Sequence, residues 1–318
     1  MYRLLIILLL VATVGKGQII NASRYYVPLS QYSFLLDLYP TTGFAYSFRK
    51  LSSTYAGNCI RVRRSSDNTE SNIGFVNNYL DTATLKTFVG VNNGFITTWY
   101  DQSGGGYDVS QSTATAQPSL VVSGVINYTN GNVCAVFNGS TNYLLSTTSF
   151  SSFATSLSFS SVMFNKWSTG AFYSYNYQFS IGINPPSTGF KSFISSAQNN
   201  YQDWVGGGTL MFGNGYPSSN NPRLLTPTHI YTNNSQNIWF GSLNSTENAL
   251  KLNGSNAPIT VNNTANVSTG GGTIALGTDN AIANFSTEYF QEVVVWQSNQ
   301  ISNATAIGGN VNNFYKVY

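Results

Sequence analysis

Charge is what this sequence has least of. Only 8% of its 318 residues are Asp, Glu, Lys or Arg, and His229 is the single histidine. The net charge of +3 is small and comes from scattered residues, so no surface for a nucleic acid or other polyanion is expected. Only Arg61-Val62-Arg63-Arg64 is locally basic, and its alternation suits a strand with outward charges. One histidine and two cysteines cannot build a transition-metal site of the usual spacing. The dense acidic loop of a calcium site is also missing, which leaves open only a structural calcium held by Asp and backbone carbonyls. No cofactor is implied. Gly104-Gly105-Gly106, Gly206-Gly207-Gly208 and Gly270-Gly271-Gly272 lack the strand–turn–helix setting and the Lys of a phosphate loop. They mark loops or bulges instead. A Gly-x-Ser-x-Gly nucleophile elbow is absent too.

Long apolar runs are equally scarce. The one candidate, Leu4 to Val14 after Arg3, is too short for roughly 30 Å of hydrocarbon, which needs about 20 residues. Followed by the small residues Gly15 and Gly17, it reads as an export signal over residues 1–17, with a secreted chain starting at Gln18 and no membrane span. The two cysteines, Cys59 and Cys134, would then meet an oxidising compartment, where a bridge between them is expected. The alternative is a pair of buried thiols. Ten Asn-x-Ser/Thr sequons occur, at Asn21, Asn127, Asn138, Asn233, Asn244, Asn253, Asn262, Asn266, Asn284 and Asn303. Composition alone accounts for roughly eight of them, but their crowding between Asn233 and Asn303 implies a glycan-shielded surface.

What the chain does have is apolar and aromatic mass, 42% and 14% of its residues, enough for a sizeable core. Helical periodicity is nearly absent. Short β-rich runs alternate with Gly, Asn, Ser and Pro, the pattern of a sandwich or barrel. Strands are expected at Cys59–Arg63, Gly94–Tyr100, Ala135–Asn138, Leu157–Asn165, Phe190–Ile194, Asn237–Gly241, Ala249–Leu252, Thr273–Gly277 and Phe290–Trp296, with a tight turn at Asn253-Gly254. Two short helices are expected. One lies within Leu80–Val89 with Asp81 as N-cap, and the other runs from Ser302 towards Tyr315. With no repeat and no long linker, one domain follows, preceded by an N-terminal extension over residues 18–44.

From Ala45 the chain reads Ala-Tyr-Ser-Phe-Arg-Lys-Leu-Ser-Ser-Thr-Tyr-Ala-Gly-Asn-Cys-Ile-Arg-Val-Arg-Arg-Ser-Ser-Asp-Asn-Thr-Glu, and later Thr97-Thr98-Trp99-Tyr100-Asp101-Gln102-Ser103-Gly104-Gly105. This pair resembles the catalytic domain of the fungal-type α-L-arabinofuranosidase B family. The resemblance implies an all-β, concanavalin-A-like jelly-roll sandwich over residues 45–318. Ala249–Gly254, Thr273–Gly277 and Phe290–Trp296 also resemble the closing strands of laminin-G-like and legume-lectin-like sandwiches.

The resemblance further implies a catalytic pair, because retaining glycosidases need two carboxyl groups about 5 Å apart. Leu276-Gly277-Thr278-Asp279-Asn280 is similar to the stretch that carries the family's acid/base, which makes Asp279 the candidate. As an Asp in a strand-end turn, it could equally bond its own backbone. The family's nucleophilic Glu has no counterpart, since no Glu occurs between Glu70 and Glu247. The nearest match, a loose one at Tyr177–Asn184, puts Gln178 there, and a neutral amide cannot do the work of a carboxylate. The family's vicinal disulfide is missing as well. Asp203, beside Trp204, has nothing around it to argue for a catalytic role. Asp67 and Asp101 read as turn-pinning residues.

A carbohydrate site remains open. Trp167, Tyr175, Tyr177, Trp204 and Tyr216, with Asn280, supply aromatic faces and amides in a stretch rich in Tyr, Asn and Gly. Three functions follow from these residues. The first is a secreted, non-catalytic module binding cell-surface glycans or a partner surface, the second an active α-L-arabinofuranosidase-like hydrolase with a relocated nucleophile. The third is a self-assembling coat, virion or matrix glycoprotein. The missing carboxylate favours the first and third over the second; nothing in the sequence separates those two, and the first is taken as the reading.

Overall fold

The computed structural model describes residues 33–150, 155–165, 177–182, 191–197, 209–213, 223–226, 235–259, 261–264, 267, 272–279, 282, 283 and 285–318. The leader, the extension up to residue 32, and the candidates Trp167, Tyr175, Asp203, Trp204, Tyr216, His229 and Asn280 lie outside them. So does the side chain of Tyr177.

The described strands pair antiparallel throughout. One layer runs Ala249–Leu252, Ser235–Leu243, Leu157–Asn165, then Thr287–Trp296. The far side of that last strand is shared by Phe44–Ser47 and Ala135–Asn138. The other layer contains Ile60–Arg64, Gly94–Trp99, Leu144–Ser146, Thr273–Leu276, Tyr177–Gly182 and Lys191–Ala197. Ser119–Val122 pairs with both layers and joins them.

Period-two alternation explains the layering. Phe159 and Met163 of one layer and Phe179, Ile181, Ile274 and Leu276 of the other fill one interior core. The central strand obeys the same rule with one interruption. Phe290, Val293 and Val295 enter that core, while Val294 and Trp296 enter a second one. The parity change follows a register shift opposite Val162/Met163, a bulge that inserts one residue and turns the following side chains over.

The second core is closed by helices on the sheet's outer face. Helix α1 (Leu35–Leu38) brings Leu35 and Leu36, and α3 (Ala304–Tyr315) brings Ile307, Val311 and Tyr315. Between them, helix α2 (Thr82–Val89) starts at Asp81, whose carboxylate accepts the Thr84 N–H at 2.9 Å. Asn253 and Gly254 have φ of 49° and 80°, the positive values that the shortest hairpin turns require.

Two expectations are corrected. Cys59 and Cys134 are not bridged; both are free, buried thiols. Cys59 Sγ donates to the Ser47 carbonyl, and Cys134 Sγ lies 3.4 Å from Thr129 Oγ1. Each side chain is already held by a different strand environment. Arg63 is not an outward, solvated charge either. It is buried, with Nε on Gln117 Oε1, Nη1 on Asn68 Oδ1, and its guanidinium over the Phe95 ring. Arg61 and Arg64 do face acids, Glu70 and Asp67.

Candidate functional site

The Tyr-Asp-Gln-Ser motif works as architecture. Asp101 is buried, and its Oδ1 accepts the N–H groups of Ala45 and Ser103 at 2.8 and 2.9 Å. Oδ2 accepts Ser103 Oγ at 2.6 Å and Tyr107 N–H at 3.1 Å. A carboxylate with four donors is saturated, so this one ties the strand Phe44–Ser47 to the glycine turn. Gln102 does the same from its other end, accepting from Leu51 N–H and donating to the Ser47 and Arg49 carbonyls.

Gln178 is tied through its backbone to the segment that leads to Asp279. Gln178 lies where the pairing of Tyr177–Gly182 with Lys191–Ala197 slips by one residue between Tyr177 and Phe179. Such a bulge re-aims a side chain. The Gln178 carbonyl accepts the Gly277 N–H at 3.0 Å, which sets it beside the segment leading to Asp279. Gly277 takes φ 75°, and a Cβ there would meet the Phe137 ring at 2.2 Å, so no other residue fits.

The Gln178 side chain is fully buried, and its amide Nε2 donates to Glu288 Oε1 at 3.3 Å. Glu288 sits on the opposite layer, on the central strand, paired with Phe137. Sequence reasoning did not single it out. Its signal was only a Glu at the start of an apolar strand, and nothing local marked it as buried. Asp279 is 2% exposed. Its Oδ1 accepts the Ala283 N–H at 2.9 Å and its carbonyl accepts the Ile282 N–H, so it closes the turn that follows its own strand.

On these same segments three buried polar atoms have no hydrogen-bond partner among the described residues: Gln178 Oε1, Thr278 Oγ1 and Ser286 Oγ. Ser286 is held there by its N–H to the Gly277 carbonyl. The cluster is therefore polar, rich in acceptors and closed to solvent. No group of three His, Cys, Asp or Glu able to hold a metal occurs among the described residues, and no described helix is long and apolar enough to cross a membrane.

The fold is that of an arabinofuranosidase-B-like β-sandwich. Residues 39–172 match the family described as alpha-L-arabinofuranosidase B, catalytic, a stretch shorter than half the chain. No curated protein matches. In structure the chain is similar to a GH54 α-L-arabinofuranosidase soaked with a cyclic sulfate inhibitor, at TM-score 0.59 and 18% identity, over 88% of this chain and 65% of that one. It is also similar to an arabinofuranosidase complexed with arabinofuranosyl-α-1,2-xylobiose, at TM-score 0.56 and 16% identity, over 88% and 64%. The chain thus spans just under two thirds of those proteins, and at such identity the likeness is one of fold.

Proposed function

We propose that this chain is a secreted glycoprotein that uses an arabinofuranosidase-B-like sandwich to bind glycans without hydrolysing them. One observation carries the reading. Where the family resemblance places a nucleophilic carboxylate, the chain has Gln178, whose amide is engaged with Glu288. An amide carries no negative charge to attack an anomeric carbon or stabilise an oxocarbenium ion.

The acid/base candidate supports the same reading. Asp279 is buried and holds its turn through the Ala283 N–H. A carboxyl serving as acid and then base must meet the glycosidic oxygen, and this one faces protein. The apolar leader at Leu4–Val14 and the sequons support export and glycosylation.

A second reading has one observation in its favour, the carboxylate of Glu288 lying against Gln178. It could stand in for the missing nucleophile if the site opened. Hydrolysis of 4-nitrophenyl α-L-arabinofuranoside by the purified, folded chain separates the two. No turnover, in wild type or in Glu288→Gln, is the expected result. Turnover abolished by Glu288→Gln and by Asp279→Asn would establish the hydrolase instead.

A further inference from the structure

If the Gln178 cluster is closed, a glycan must be held elsewhere, and an open cleft among the described residues is a candidate. A cleft of about 550 Å³ lies between α1, the turn that follows Leu51, and the glycine turn after Gln102. That volume falls within the usual range for small-ligand sites, roughly 300–1,000 Å³.

Its walls combine the two surfaces a sugar needs. Leu36, Pro40 and the Tyr55 ring supply apolar area, while Asp37, Ser52 and Thr54 supply acceptors and hydroxyls. The ring is held in place on several sides. Tyr55 OH donates to the Asn58 carbonyl at 2.8 Å, and the ring meets Phe75 edge to face at 82°. Gly57 packs so closely that a Cβ there would stand 2.6 Å from the Tyr55 ring. Such a fixed aromatic surface costs little entropy on binding.

Asp37 is exposed and keeps acceptor capacity. Its Oδ1 accepts Ser52 Oγ and Ser53 N–H, each at 3.0 Å, whereas Oδ2 has only a longer 3.3 Å contact with the same N–H. Slight burial works against its charge, but the hydrogen bonds from Ser53 and Ser52, with nearby Lys50, hold its carboxyl below the usual value. The carboxylate is therefore charged at neutral pH. An ionised acceptor makes stronger hydrogen bonds to hydroxyls than a neutral one, and it repels an anionic ligand. Asp101 and Asp108 add negative field near Tyr55.

We propose that this cleft is the glycan site, that it takes an uncharged sugar unit, and that Tyr55 stacks on the sugar's C–H face while Asp37 accepts its hydroxyls. The inference rests on the glycan-binding reading above. The test is calorimetric titration and saturation-transfer NMR of the full secreted chain with methyl α-L-arabinofuranoside, xylobiose and galacturonate. At least one neutral probe is expected to bind and galacturonate is not. Asp37→Asn, which keeps an acceptor for Ser53, should weaken neutral binding about tenfold or more. Thr54→Trp, at an exposed position, should fill the cleft and abolish it. Neutral binding unchanged in both variants would overturn the cleft while leaving the glycan-binding reading intact. Galacturonate bound as tightly as the neutral probes would overturn the ligand class. Failure of every neutral probe to bind folded protein would overturn both the cleft and the reading beneath it.

Discussion

Arg49, just past the strand Phe44–Ser47, and Glu292, on the central strand Thr287–Trp296, form a buried, two-pronged ion pair: Nε to Oε2 at 2.6 Å and Nη2 to Oε1 at 2.9 Å. Ser47 Oγ and Tyr315 OH also donate to Glu292 Oε2, and Arg49 Nη1 reaches Asn310 on α3. Phe314 and Tyr315 flank the guanidinium at 5.3 and 5.7 Å. Taking one partner away strands the other charge in the protein. Glu292→Gln is expected to cost about 3–5 kcal/mol. Arg49→Met combined with Glu292→Leu should cost less than the sum of the two single changes. Urea denaturation of Glu292→Gln, of the two single changes and of their double measures both; additive losses would contradict the coupling.

The N-cap of α2 should be separable from this. Asp81→Ala is expected to cost about 1 kcal/mol, because the Thr84 N–H loses its acceptor. Hydrogen bonds from the Thr84 side chain, then its backbone, lower the Asp81 carboxyl below its ordinary value. Its contribution is therefore complete above the ordinary carboxylate range and lost as pH falls through the lowered folded value. Comparing wild type with Asp81→Ala at pH 7 and in strong acid should show the difference shrinking in acid.

The thiols should be inert in the folded state. Burial pushes Cys134 up to about 11 and Cys59 well above its ordinary value, so neither is a thiolate near neutral pH. Two equivalents of a thiol reagent should react after denaturation without reductant, and none before. A full complement reacting only after reduction would show a bridge.

Burial also sorts the sequons. Asn138 and Asn262 are exposed, whereas Asn244 is 6% exposed. Peptide mapping of protein secreted from a glycosylating host should find glycan on Asn138 and Asn262 and none on Asn244.

Features fixed by neighbours in sequence were legible before the structure. The Asp81 cap, the Asn253-Gly254 turn and the strand Leu157–Asn165 depend on local chemistry, and each appears as expected. Features fixed by distant partners were not. The partner of Glu292 lies 243 residues away, and that of Glu288 lies 110 residues away. Nothing near either Glu announces a buried carboxylate in an apolar strand. Arg63 failed for the same reason, since alternation assigns a face but not what covers it. The site itself was half legible. Gln178 and Asp279 came from family resemblance, while Glu288 and the Thr278 and Ser286 hydroxyls, without partners among the described residues, emerged only when two layers were packed together.

The most direct test asks whether any carboxylate in the Gln178 cluster can act as a nucleophile. A cyclic sulfate of arabinofuranose configuration is an electrophile that a nucleophilic carboxylate opens to a covalent ester, and intact-mass spectrometry detects the adduct. The account predicts unmodified mass after prolonged incubation with the folded chain, and an adduct-free peptide containing Glu288. A stoichiometric adduct mapped to Glu288 or Asp279 would contradict it and show that hydrolytic chemistry survives.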